Sequence, residues 1–208
     1  MHPTPTTPTT RNAHELKPTT LVVDALNFLE RFVPVDEPAF ANALPPALFV
    51  EANRRVFLFT AGAVRSNIRP VFVFDKGQAS DEARDKWTRR RCEEVVKGTR
   101  RMPANAEVFL TAILETHGCL CLRPPDIDGD DAVALLAWQL GGSVLSRDRD
   151  LLRYDELPAE RVFRDFGVDA TQHKLRLERQ MAPLPAHVAR QITIHALKSR
   201  EILRSVAA

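Results

Sequence analysis

Cysteine, long apolar runs and net charge are all scarce in this chain. Only three cysteines occur among 208 residues, Cys92, Cys119 and Cys121. An odd number without metal-type spacing gives neither a disulfide framework nor a zinc ligand pattern. Cys119 and Cys121 would share one face of a strand. That fits buried structural thiols and a reducing, intracellular compartment such as cytoplasm, nucleoid or nucleus. The longest mostly apolar stretch, Val56 to Val64, is too short to span a bilayer and contains Thr60. The N-terminus lacks the apolar stretch of a secretory signal, so no membrane association is expected. Net charge is only +2. No global basic field exists, and the distribution of charge has to carry the information.

What is present is a core-forming composition, 44% apolar, in a length suited to one domain with an appendage. Residues 1–19 are rich in Thr and Pro and are expected to be a disordered tail. Short β-type runs are expected as strands at 20–24, 71–74, 119–122, 143–146 and 162–166. Helical readings fall between them. In the helix from about Pro46 to Asn67, Leu48, Ala52, Val56, Phe59 and Ala63 recur on one face. A second amphipathic helix covers about Ala106 to Thr116 and is closed by Gly118. A third begins at Asp130 or Asp131 and ends at Gly141-Gly142. The charged stretch Gln78 to Arg101 also reads as helical. Strands alternating with helices imply an α/β, three-layer fold, with a mostly parallel sheet of about five strands flanked by helices. Residues 167–208 read as a helical extension, with Leu184, Val188 and Ile192 on its buried face. No internal repeat is visible.

Acidic residues follow the strand runs. Leu21-Val22-Val23 leads to Asp24, and Val71 to Phe74 leads to Asp75. The run 119–122 precedes Asp128 and Asp130, with Asp131 beside them, and 143–146 precedes Asp148 and Asp150. One aspartate after a strand is an ordinary turn or cap residue. Four recurrences at one expected sheet edge, where open α/β sheets collect ligands, are a different matter. Gathering so many carboxylates is costly without a cation. Hard oxygen donors suit Mg²⁺ or Mn²⁺. A pair of such ions, held by Asp24, Asp75, Asp128, Asp130, Asp148 and Asp150 with Asp131 auxiliary, is suited to phosphodiester hydrolysis. None of the six histidines falls within these motifs. Between the second and third strands lie Arg84, Arg89, Arg90, Lys97 and Arg100, interleaved with acids. They read either as a solvated helix with i, i+4 pairs or as a phosphate grip.

Together these motifs resemble the PIN-like nucleases, especially the 5′-nuclease and flap endonuclease branch that includes the 5′-nuclease domain of bacterial DNA polymerase I and phage 5′-nucleases. Leu21-Val22-Val23-Asp24 is similar to that branch's first metal motif, and Val73-Phe74-Asp75 to its second. Asp128-Gly129-Asp130-Asp131 resembles its Glu-Ala-Asp-Asp. Ser146-Arg147-Asp148-Arg149-Asp150-Leu151 resembles its second acidic pair. Arg84-Asp85, Lys97-Gly98-Thr99-Arg100 and Met102-Pro103 are similar to its basic arch, in which such residues steer the scissile phosphate.

The resemblance covers about residues 20–166 and implies a metal-dependent 5′-3′ exonuclease or endonuclease acting on single-stranded or branched DNA. Asp24-x-x-Asn27 also resembles the NYN ribonucleases. An NYN- or toxin-type ribonuclease acting on RNA therefore stands as an alternative, and a degenerate scaffold that binds nucleic acid or protein as a further alternative. The branch's helix-hairpin module, with its Gly-rich turn and further aspartate, has no counterpart. Gly167 is the last glycine, and Asp165 and Asp169 do not match that motif. A protein partner could supply duplex grip.

Overall fold

A computed structural model describes residues 18–33, 46–75, 81–97, 106–124, 127–182 and 192, with backbone alone at 82, 83, 86, 87, 90, 91 and 95. The N-terminal 1–17, the proline-marked loop 34–45 and most of the chain beyond 182 lie outside the described residues. The chain runs through β1 (Thr19–Asp24), a 3-10 turn at Leu26–Phe28, α1 (Leu29–Phe32) and α2 (Pro46–Arg65). It continues through β2 (Ile68–Val73), α3 (Asp81–Val96), α4 (Ala106–Thr116) and β3 (Leu120–Leu122). Then follow α5 (Gly129–Gln139), β4 (Ser143–Leu145), 3-10 turns at Arg149–Arg153 and Ala159–Arg161, β5 (Val162–Val168) and β6 (Leu175–Gln180).

The six strands form one sheet in the order β3-β2-β1-β4-β5-β6. The first five are parallel and β6 is antiparallel to β5. Alternation along each strand divides the apolar residues between two faces. Leu21, Val23, Phe72, Phe74 and Leu145 pack with α1, α2 and α4. Val22, Val71, Val73, Val144 and Val162 pack against α5. This is the three-layer α/β architecture with a mostly parallel sheet that the sequence implies. On the first face, the Phe59 ring centroid lies 5.3 Å from Phe32 and 4.9 Å from Phe166. Truncating a ring so enclosed costs about 3–5 kcal/mol.

Glycine chemistry ends the helices where the sequence places their stops. Gly118 and Gly141 both take positive φ, 72° and 59°. The amides just after them, of Cys119 and Gly142, bond back to Leu114 and Ala137 at 3.0 and 2.8 Å, which closes each last turn.

The region after 168 departs from the sequence reading. Residues 175–180 are not helical but form β6, making six strands rather than five. Asp169 builds the hairpin turn. Its carboxylate accepts from the Thr171 and Gln172 amides at 2.8 and 2.7 Å. Leu175 and Leu177 then alternate with polar residues toward the core. Gly62 on α2 leaves room for the Leu175 backbone, which a Cβ there would meet at 3.2 Å. Ile192, read as a helix-face residue, instead forms a parallel β-bridge with Tyr154. Leu184 and Val188 lie outside the described residues.

Candidate active site

The sheet grows from β1 in both directions, to β2 on one side and β4 on the other, so β1 marks its topological switch point. The crevice beyond the carboxyl ends of strands at such a point is the expected ligand site. Parallel register pairs Val23 with Leu145, so Asp24 and Ser146 emerge side by side. The Ser146 hydroxyl, wholly buried, donates to Asp24 Oδ2 at 2.8 Å. The Asn27 side-chain amide, presented by the 3-10 turn that follows β1, donates to the same oxygen. Ser146 Oγ also accepts the Asp148 amide at 3.1 Å. One hydroxyl thus ties the end of β1 to the acidic turn after β4.

The two Asp-x-Asp segments repeat one local geometry. Asp128 caps α5, with Oδ1 accepting from the Asp130 amide at 3.1 Å. Asp148 caps the 149–153 turn, with Oδ1 accepting from the Asp150 amide at 2.9 Å. Carboxylates suit such helix starts on their own. Their convergence appears in the electrostatics. Burial first, then the charges of Asp148, Asp24, Asp128 and Asp150, push the Asp130 carboxyl up from 3.8 to about 7. Burial also raises Asp24, opposed by its bonds from Ser146 and Asn27, with Asp148 adding repulsion. Asp75 joins through a steric contact. A Cβ at Gly129 would fall 2.7 Å from Asp75 Cβ and 2.9 Å from its Cγ. Glycine therefore lets Asp75 lie against the first turn of α5.

Asp24, Asp128, Asp130, Asp148 and Asp150 thus form one electrostatically coupled set, flanked by Asp75. Asp131 is turned to Tyr154, whose hydroxyl donates to its Oδ1 at 2.6 Å. Burial and that neighbouring carboxylate raise the Tyr154 phenol far above its ordinary range. Among the described residues, no three His, Cys, Asp or Glu side chains are gathered closely enough to be a ready-made metal cage. The donor set nonetheless fits a hard divalent cation: it is all carboxylate oxygen, and burial, with the neighbouring charges added, already raises one member to about 7.

The basic segment forms α3, on which no other described element packs extensively. Arg84 pairs with Asp81 at 2.8 Å and Lys97 with Glu93 at 3.5 Å, both exposed. Arg89 is exposed as well. The Arg90 side chain and all of Arg100 lie outside the described residues. Asp165 and Asp169 have structural work. Asp165 pairs with Arg31 at 3.5 Å and Arg179 at 3.9 Å, and Asp169 holds the hairpin. Cys119 and Cys121 are partly buried and free, and burial pushes their thiols up to about 11 and 12. No helix among the described residues is long and apolar enough to cross a membrane. Sequence reasoning gave Ser146 and Tyr154 no role in the site. The signal for Ser146 is its register opposite Asp24.

No protein-family model matches the chain, and no curated protein matches it in sequence. Among solved structures it is similar to the catalytic core of Rad2 in complex with DNA substrate, seen in three complexes. Two of these align with 18% identity and a TM-score of 0.42, the other with 20% and 0.39. Each alignment covers 66% of this chain. The chain spans about two fifths of the length of the Rad2 core, 40–42%.

Proposed function

We propose that this protein is a divalent-metal-dependent nuclease that hydrolyses phosphodiester bonds, with single-stranded or branched DNA as its preferred substrate and 5′-3′ polarity. The observation that carries this reading is the meeting of acidic segments at the sheet's switch point, where the Ser146 hydroxyl ties Asp24 to the Asp148 turn and burial with four neighbouring carboxylates raises Asp130. Asp24, Asp75, Asp128, Asp130, Asp148 and Asp150 would hold Mg²⁺ or Mn²⁺, two ions in all. When bound, such ions supply Lewis acidity toward water and the phosphodiester.

The chain's own residues would do the rest. Ser146 and Asn27 fix one oxygen of Asp24. The capped turns hold the Asp128 and Asp148 carboxylates by their own backbone amides. Arg84, Arg89 and Lys97 would meet backbone phosphate, with Arg90 and Arg100 beside them in sequence. Exposed ion pairs such as Arg84–Asp81 are worth about 1 kcal/mol or less, so exchange for phosphate costs little. A protein partner would supply duplex grip.

The test is Asp148→Asn with Asp150→Asn, assayed on flap, nicked, single-stranded and RNA substrates with Mg²⁺ and Mn²⁺. Cleavage should collapse while the fold persists; activity surviving both changes removes the assignment. The Asn27 amide on Asp24 favours one second reading, a ribonuclease, which matched RNA and DNA in that panel separate. A binding scaffold without activity would gain no stability from Mn²⁺.

A further inference from the structure

The 149–153 turn ends at Tyr154, the only tyrosine in the chain. Its backbone is clamped from both sides by one distant residue. The Ile192 amide donates to the Arg153 carbonyl at 2.7 Å, and the Asp155 amide donates to the Ile192 carbonyl at 3.3 Å. The ring is buried beside Leu151 and the Ala132–Ala137 stretch of α5. Its hydroxyl reaches across to Asp131 on the first turn of α5. That bond joins the segment carrying Asp128 and Asp130 to the segment carrying Asp148 and Asp150. The donor at 2.6 Å fixes one oxygen of Asp131 in place on the first turn of α5.

We infer that Tyr154 is a positioning residue, latching the two acidic turns together through Asp131, and that Asp131 serves as its acceptor rather than as a metal ligand. The inference rests on the nuclease reading. Removing an outer bond that orients metal-holding groups typically costs about 10–100-fold in metal affinity or activity.

The experiment compares full-length wild type with Tyr154→Phe, Asp131→Asn, Asp131→Ala and the Y154F/D131A double variant. Cleavage of single-stranded and flap DNA gives kcat and KM, and melting in a Mn²⁺ titration reports metal binding. Y154F and D131A should each lose at least about tenfold in kcat, with KM little changed, and require about tenfold more Mn²⁺ for half-maximal stabilisation. The double variant should be no worse than either single one, because both remove the same bond. Asp131→Asn keeps an acceptor oxygen and should stay close to wild type.

A Y154F enzyme that cleaves like an active wild type overturns the latch alone, as does Asp131→Asn falling as far as Asp148→Asn. A wild type that neither cleaves nor gains stability from Mn²⁺ overturns the nuclease reading, and the latch with it. If Y154F does not fold, 3-fluorotyrosine at this single position provides the readout. Its ¹⁹F resonance should move in D131A and on Mn²⁺ addition, and a resonance unmoved by D131A overturns the inference.

Discussion

Asp130→Asn should stabilise the metal-free protein, and more so as pH rises. The folded carboxyl titrates near 7, against an ordinary 3.8. A raised acid means that the fold binds the proton more tightly than the unfolded chain does. Below about pH 4 both states are protonated and the group contributes nothing to stability. Between about pH 4 and 7 the unfolded chain ionises first, so stability falls as pH rises, and above 7 the loss is complete. At about 1.36 kcal/mol per pH unit, the gap from 3.8 to about 7 corresponds to at most about 4 kcal/mol.

Asp130 retains some solvent contact and shares its field with four neighbours, so screening reduces this to about 1–2 kcal/mol. For a chain of this size that is about 2–8 °C in Tm. Thermal melts in EDTA at pH 8 and pH 4.5 check the sign. The variant should melt higher than wild type at pH 8, and the gain should shrink several-fold at pH 4.5. Saturating Mn²⁺ should reverse the order, because the cation neutralises the wild-type cluster and an amide is the poorer ligand. A variant less stable at pH 8 in EDTA, or a gain independent of pH, would refute the clustered-charge argument.

Gly129→Ala sets helix propensity, worth up to about 1 kcal/mol, against a Cβ 2.7 Å from Asp75 Cβ. Overpacking of about 1–3 kcal/mol wins, so urea melts should show net destabilisation and cleavage should drop with it. Ser146→Ala removes both a donor to Asp24 and the acceptor of the Asp148 amide. The cost should be about 1–3 kcal/mol and should grow as pH rises, since that donor favours the ionised form of Asp24; a loss that does not grow with pH would count against it. Gly142→Ala places a Cβ 2.6 Å from the Thr20 carbonyl oxygen, and backbone gives way poorly. Chemical denaturation should register about 1–3 kcal/mol of destabilisation, with cleavage by the folded fraction intact.

The strand ends were legible because each aspartate follows an apolar run short enough to be a buried strand and bounded by turn residues. Alternation of strands and helices then fixed one sheet edge for all of them. What the sequence hid is tertiary. Ser146 reads as an ordinary strand-end serine, and only the pairing of Val23 with Leu145 sets it against Asp24. The Leu175–Leu177 alternation spans too few residues to outweigh helical spacing further along, at Leu184, Val188 and Ile192. The turn that decides it depends on one side chain, Asp169, bonding amides two and three residues on. For Arg84 and Lys97, composition allowed a phosphate grip, while the structure adds the local acids with which each is now paired.

The antiparallel return of β6 has a consequence for how this protein behaves at high concentration. A sheet bordered by a bare hydrophobic ribbon invites another chain to add on. Here the border carries Arg176, Glu178 and Arg179, while the opposite margin, β3, is only three residues long. Among the described strands, both flanks are therefore poor templates for runaway strand addition.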